Sequence, residues 1–276
     1  SAEGKGIDLT PARVPVLVAL LVLAAGCRAA ASLPALLESP DPPVRDQAVL
    51  ALRHRAAPAD LPAVEALLSH RNPAVREAAL SVIGGLGQRS AVPALEAGLR
   101  DPVPSVRAAA VDALSELAGS PALPALAASL KDPDPGVRQT AAGALGFLLV
   151  PAAASVLRPL LDDPEAGVRA AAAEAVGKAG DPGDLPALIR LAGDPEAEVR
   201  RASASALGDL KLPESLPILL GCLGDPDWKV RRAAAFSLGD LGDRAAIAFL
   251  RKRLEDDPHA SVRTAALGAL GRLGAP

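Results

Sequence analysis

The residues that could do chemistry in this chain are few, and they are scattered. Its three histidines, His54, His70 and His259, neighbour neither one another nor an obvious nucleophile. Cys27 and Cys222 lie far apart and form no C-x-x-C pair, which argues against a disulfide framework or a zinc knuckle. Cys222 sits inside the apolar run "LPILLGCL" and reads as a small buried hydrophobe rather than a nucleophile. A G-x-x-x-x-G-K loop that could cradle phosphate is also missing. From these residues we expect no catalytic group, no metal and no cofactor, and a protein that is not an enzyme.

Two other patterns suggest recognition and tethering instead. Trp228, Arg232, Phe236 and Asp240 follow one another at i+4, so on a helix they share one edge, and Arg201 stands beside them one repeat earlier. Aromatic side chains beside arginine are the composition of interface hot spots. The chain has only one Trp, three Phe and no Tyr, so the coincidence is informative. Phe147 is expected to project onto the same face, and these six residues form the candidate partner site. Separately, Asp101, Asp132, Asp163, Asp194, Asp225 and Asp257 each precede a Val-Arg pair by five residues. Carboxylates and guanidinia at a fixed interval predict an ion-pair ladder that ties neighbouring turns together and caps helix starts. A residue present in every repeat carries no local address, so the ladder is read as structural.

The element that positions both patterns is a repeat. Val-Arg recurs at Val44, Val75, Val106, Val137, Val168, Val199, Val230 and Val262, at a spacing of 31 residues six times and then 32. A fixed period in this range is the signature of a solenoid. After Val-Arg, apolar or small residues fall at offsets four, seven, eight and, Arg55 apart, eleven, one face of a helix. In the unit at Val199 they are Ser203, Ala206, Leu207 and Leu210. Gly87, Gly180, Gly242 and Gly274 stand where a left-handed C-terminal cap belongs. The shorter helix of each repeat is expected to open with a side-chain cap and a proline, as in Asp60-Leu61-Pro62, Asp184-Leu185-Pro186 and Ser215-Leu216-Pro217. Two short helices per period leave no room for strands, and a core of Ala, Leu and Val with so few aromatics suits close helix contact. The segment 144–161 departs from the pattern. Leu149 replaces the capping glycine and Pro159 falls inside the next helix, so a bent repeat is expected there.

The pattern D-P-x-x-x-V-R-x-x-A-x-x-A-L-G-x-L-G resembles the short HEAT repeat, often called the PBS-lyase-type HEAT-like repeat, over about residues 28 to 274. The resemblance implies an all-α, right-handed α-α superhelical solenoid of about eight two-helix repeats, with a concave face for binding. We read residues 1–26 as a leading half repeat and 27–276 as eight full repeats of one solenoid. A di-iron hydroxylase built on such repeats would carry His-Glu pairs, and this chain has none. On the stripe at offsets two, six and ten, acids outnumber bases: Asp46, Glu77, Asp112, Glu116, Glu174, Asp209 and Asp240 against Lys178, Arg201, Arg232 and Arg272. With a net charge of −3 as well, no nucleic-acid partner is expected. The acids of the first half favour a ligand that is basic at that end.

The stretch "VPVLVALLVLAAGC", residues 14–27, has three competing readings. It is too short to span a bilayer, which takes roughly 20 apolar residues, and its leader is charge-balanced. A lipoprotein cleavage ahead of Cys27 is the alternative. The repeat register favours a helix, with Leu17, Val18, Leu21 and Val22 inward and Gly26 at its cap. Being apolar all round, this helix should be covered on both sides, so either an upstream segment of a longer chain or self-association through residues 14–26 is expected. The sequence thus reads as a bacterial, cytoplasmic scaffold or adaptor that holds a protein or peptide segment. The alternatives are an accessory subunit of a bilin-attachment enzyme, which the family resemblance permits, and a periplasmic lipoprotein scaffold.

Overall fold

The structure is a computed structural model that describes residues 36–55, 60–117, 122–148 and 154–275. The expectations for residues 14–27 and for Leu149 lie outside them. The chain divides into two compact units, Ser1–Ala122 and Leu123–Pro276. Among the described residues every regular element is helical. The first unit holds α1 (Pro42–Arg55), α2 (Leu61–Ala66), α3 (Pro73–Gly85), α4 (Val92–Gly98) and α5 (Pro104–Glu116). The second holds α6 (Leu123–Ser129), α7 (Pro135–Phe147), α8 (Ala154–Leu157), α9 (Ala166–Ala179), α10 (Leu185–Leu191), α11 (Ala197–Asp209), α12 (Leu216–Cys222), α13 (Trp228–Leu241), α14 (Ile247–Asp256) and α15 (Ala260–Arg272). Short and long helices alternate, and each long helix packs on the long helix of the next repeat within its unit. The all-α repeat fold is therefore the one the period predicts.

The long helices bury the offsets read from the sequence. In α11, Val199, Ser203, Ala206 and Leu207 are fully buried, and the Ser203 hydroxyl donates to the Leu188 carbonyl at 2.5 Å. The recurrent glycine of Ala-Leu-Gly or Ala-Val-Gly, at offset nine, supplies the closest contact. A Cβ added to Gly177 would lie 2.5 Å from Ala206 Cβ and 2.6 Å from Ala206 Cα, and one added to Gly146 would lie 2.7 Å from Ala175 Cβ. Glycine at offset nine thus receives the small residue at offset seven of the next long helix, and the two backbones approach as no larger pair would allow. The four capping glycines all adopt the left-handed conformation (φ +65° to +78°), and Lys211 occupies the same place at φ +51°.

The aspartate–arginine ladder forms, with a change in what the aspartate does locally. Arg76 grips Asp101 through two bonds of 2.7 and 2.8 Å in the first unit. In the second unit Arg138 pairs with Asp163, Arg169 with Asp194, Arg200 with Asp225 and Arg231 with Asp257, at 2.7–3.0 Å. The third guanidinium nitrogen donates to the carbonyls of the loop before its own helix, as Arg200 does to Asp194 and Pro195 at 2.9 Å. One arginine therefore bonds two successive loops. The ladder aspartate is not the helix cap that was expected. It accepts from the amide two residues on, as Asp225 does from Asp227 at 2.8 Å, and the cap itself is Asp227 for α13, Asp134 for α7 and His259 for α15.

The starts of the short helices also differ from expectation. Asp60, Asp184 and Ser215 make no side-chain cap. Asp184 and Ser215 each end a 3-10 turn in αR geometry, whereas a capping residue needs an extended backbone to face the second or third amide. In two repeats capping has moved upstream, to Asp181 and Asp243 at the head of the 3-10 turn. The proline in the first turn holds as read. The irregular repeat is broken more than bent. The α-helix α8 stops after four residues, and a 3-10 stretch, Arg158–Asp162, carries Pro159 at its start. Arg158 from this stretch pairs with Asp181 and with the buried Asp184.

Candidate binding groove

A groove in the second unit gathers most of the candidate side chains. Helix α13 presents Trp228, Arg232, Phe236 and Asp240, each four residues or roughly 6 Å along the axis from the next. The facing wall is α11, with Arg201, Ser205 and Asp209. Between them the floor is small: Gly208, Ala233 and Ser237. A Cβ on Gly208 would lie 2.5 Å from Ser237 Cβ, so the close approach of these helices makes the floor. The cavity measures about 410 Å³. Phe236 is 54 % exposed in it, which is unusual for a large apolar side chain in a core built of alanine and leucine.

Both aromatic rings are held from the next repeat. The Trp228 indole stacks on the His259 imidazole, with centroids 3.8 Å apart and planes 4° from parallel. The Arg272 guanidinium lies 4.4 Å over the Phe236 ring, donates to the Phe236 carbonyl at 3.0 Å and pairs with Asp240 at 3.0 Å. Arg201 is held by Glu174 of α9 at 2.8 Å. Arg232 is exposed and has no hydrogen-bond or ion-pair partner among the described residues. At the other end of the groove, burial raises the Asp209 carboxyl above its ordinary range; Lys178 opposes this, and Asp240 and Glu174 reinforce it. The groove thus carries a free guanidinium at its Arg232 end and, at the other, the Asp209 carboxyl, which has no ion-pair contact but feels Lys178 and Lys211 nearby.

The structure brings together Arg201, Trp228, Arg232, Phe236 and Asp240, and it places Phe147 apart. Phe147 ends α7, is 75 % exposed and does not line this groove. His259, Arg272 and Glu174 were missed as site residues. Arg272 and Glu174 lie on the stripe already read from the sequence, but nothing local in His259 marks it as a stacking partner. In the first unit the corresponding stripe forms a cavity of about 590 Å³ beside the half-exposed Leu50, with Asp46 and Glu77 in its lining. Arg53 ties this face together by donating to Ser81 and Glu116. Glu116 and Glu174, expected to attract a basic ligand, are therefore neutralised within their own units. The Cys222 thiol is buried, and burial pushes it up to about 11, as befits a packing residue. No described helix is long and apolar enough to cross a membrane.

Comparison with known proteins gives a consistent fold. The family model described as HEAT repeats matches in six overlapping stretches: 29–115, 61–146, 97–176, 123–207, 155–227 and 185–271. The crystal structure of YibA from Escherichia coli is similar over 99 % of both chains, at 19 % identity and a TM-score of 0.71. A chain from the complex of CpcE and CpcF of phycocyanin lyase from Nostoc sp. is similar over 79 % of this chain and 98 % of that one, at 24 % identity and a TM-score of 0.51. At these identities the likeness is one of fold. No curated protein sequence matches the chain. The six matches, the 31-residue period and the alternating short and long helices agree: the chain belongs to the HEAT-repeat family.

Proposed function

We infer that the chain is a non-enzymatic scaffold or adaptor that holds a protein or peptide segment in the groove between α11 and α13. The observation that carries this reading is Phe236, half exposed above a floor of small residues and fixed in place by Arg272. A side chain recruited only to fill space between repeats would be buried like its neighbours Ala235 and Leu238. Pre-ordering by Arg272 and His259 also lowers the entropy lost on binding, which suits an anchor. The test is affinity capture with the intact chain, with Trp228→Ala/Phe236→Ala, and with Phe249→Ala on α14, outside the groove lining, as control. A partner retained by the control and lost from the double variant supports the reading. Equal capture by all three refutes it.

A cytoplasmic setting fits the isolated cysteines and belongs to the same reading. The accessory-subunit alternative has only fold likeness to the phycocyanin lyase chain behind it. With no tyrosine in the sequence and His259 already stacked on Trp228, the groove has little to offer a bilin.

A further inference from the structure

The groove walls hold two opposite charges that the protein itself leaves without an ion pair, and an exposed ring stands between them. Arg201 and Arg272 are spent on Glu174 and Asp240. Lys229 points its ammonium toward the Trp228 ring at 6.0 Å. Arg232, between Trp228 and Phe236 on α13, makes no hydrogen bond or ion pair among the described residues, and Asp209 on the facing wall makes no ion-pair contact either, although Lys178 and Lys211 lie near enough to favour its charge. A guanidinium at an interface without a carboxylate is incomplete, because its fork geometry is matched by a planar bidentate acceptor. Arg232 and Phe236 are separated by four helical residues, roughly 6 Å. In an extended segment, side chains two residues apart lie on one face at roughly 6.6 Å. The two spacings are close enough for alternate ligand side chains to meet successive turns of α13.

Resting on the adaptor reading, we propose that the groove takes an extended segment of the pattern acid–x–apolar–x–base. Its carboxylate pairs with Arg232, its apolar side chain packs on the open side of Phe236 over Gly208 and Ala233, and its cationic side chain meets Asp209. The recognised partner is a protein segment with these three side chains in alternate positions. A uniformly basic segment would place like charge against Arg232, and a segment without the apolar residue would leave Phe236 uncovered.

Trp228 is the sole tryptophan and the chain has no tyrosine, so its fluorescence reports on this groove alone. Three blocked peptides are titrated into the full chain: Glu-Ser-Leu-Ser-Lys, Lys-Ser-Leu-Ser-Lys and Glu-Ser-Ala-Ser-Lys. The first should bind at least about tenfold more tightly than either of the others, and Arg232→Glu should invert the preference between the first two. Phe236→Ala should weaken the first toward the level of the alanine peptide. Equal affinity of all three, or a preference that Arg232→Glu leaves unchanged, overturns the charge pattern. In that case binding still lost in Phe236→Ala would keep the groove as the adaptor's site, and binding indifferent to Phe236→Ala would remove the groove as well.

Discussion

Gly177 puts the packing argument at its sharpest, because two principles give it opposite signs. In an isolated helix, replacing an interior glycine by alanine stabilises by about 1 kcal/mol. At Gly177 the new methyl would sit 2.5 Å from Ala206 Cβ and 2.6 Å from Ala206 Cα, where carbon atoms at rest are roughly 3.5–4.0 Å apart. The obstacle is partly backbone, so no rotamer relieves it, and α9 and α11 must part by about 1 Å. Overpacking a close-packed interior costs about 1–3 kcal/mol, and the parting here removes contacts along two helices. Gly177→Ala is therefore expected to destabilise by about 1–2 kcal/mol net. Gly143 in α7 is the control, since it is exposed and has nothing within 4 Å of an added Cβ. Gly143→Ala should stabilise by about 0.5–1 kcal/mol. Urea unfolding followed by helical circular dichroism separates the two, and Ala206→Gly placed behind Gly177→Ala should recover part of the loss. A Gly177→Ala variant as stable as the parent would refute the close-approach reading of the glycine at offset nine.

Three further predictions concern the turns. The Arg231 guanidinium beside Asp257 holds that carboxyl below the usual carboxylate range, and Arg76 does the same to Asp101. A carboxyl whose folded pKa is depressed contributes stability that is fully present above its unfolded value of about 3.9 and is lost as pH falls toward the folded one. The unfolding midpoint should therefore be little changed from pH 7 to 5 by these groups and fall below about pH 4. Asp257→Asn should be less stable at pH 7 and should show a shallower acid fall. The ladder side chains are at most 14 % exposed, so Arg200→Ala, which strands Asp225, is expected to cost about 2–4 kcal/mol. Arg200→Lys should not rescue it, because an ammonium cannot reproduce the fork. Lys211 holds a left-handed backbone that four glycines hold elsewhere, so Lys211→Gly should raise stability by about 1 kcal/mol in the same unfolding assay.

The fold was legible because its determinants repeat. Offsets four, seven and eight from each valine are a local pattern, and Ser203, Ala206 and Leu207 are buried as that pattern requires. The glycine caps were legible for the same reason. What the glycine at offset nine does was not, because its partner lies 29 residues on, at Ala206 for Gly177. The starts of the short helices misled because Asp-Leu-Pro has the composition of a cap, whereas a 3-10 turn set by residues further upstream fixes its backbone. The site was partly legible. Trp228, Arg232, Phe236 and Asp240 share a helix edge at i+4, a local relation. The groups that fix their rings, His259 and Arg272, sit 31 and 36 residues away and come into contact only through repeat stacking. Phe147 satisfied the same offset rule but ends a helix outside the groove. An offset places a residue on a face and does not say which neighbours share its cavity.

Site-specific photocrosslinking in cells decides whether the groove is the binding site, with benzoylphenylalanine placed at position 236 in the groove or at position 249 on α14. Both native residues are phenylalanines about half exposed, so the two positions are matched in size and access. A covalent adduct with a defined protein segment is expected at position 236, suppressed by Arg232→Glu, and none at position 249. Adducts of equal yield at both positions, or none at position 236 while position 249 reacts, would rule the groove out.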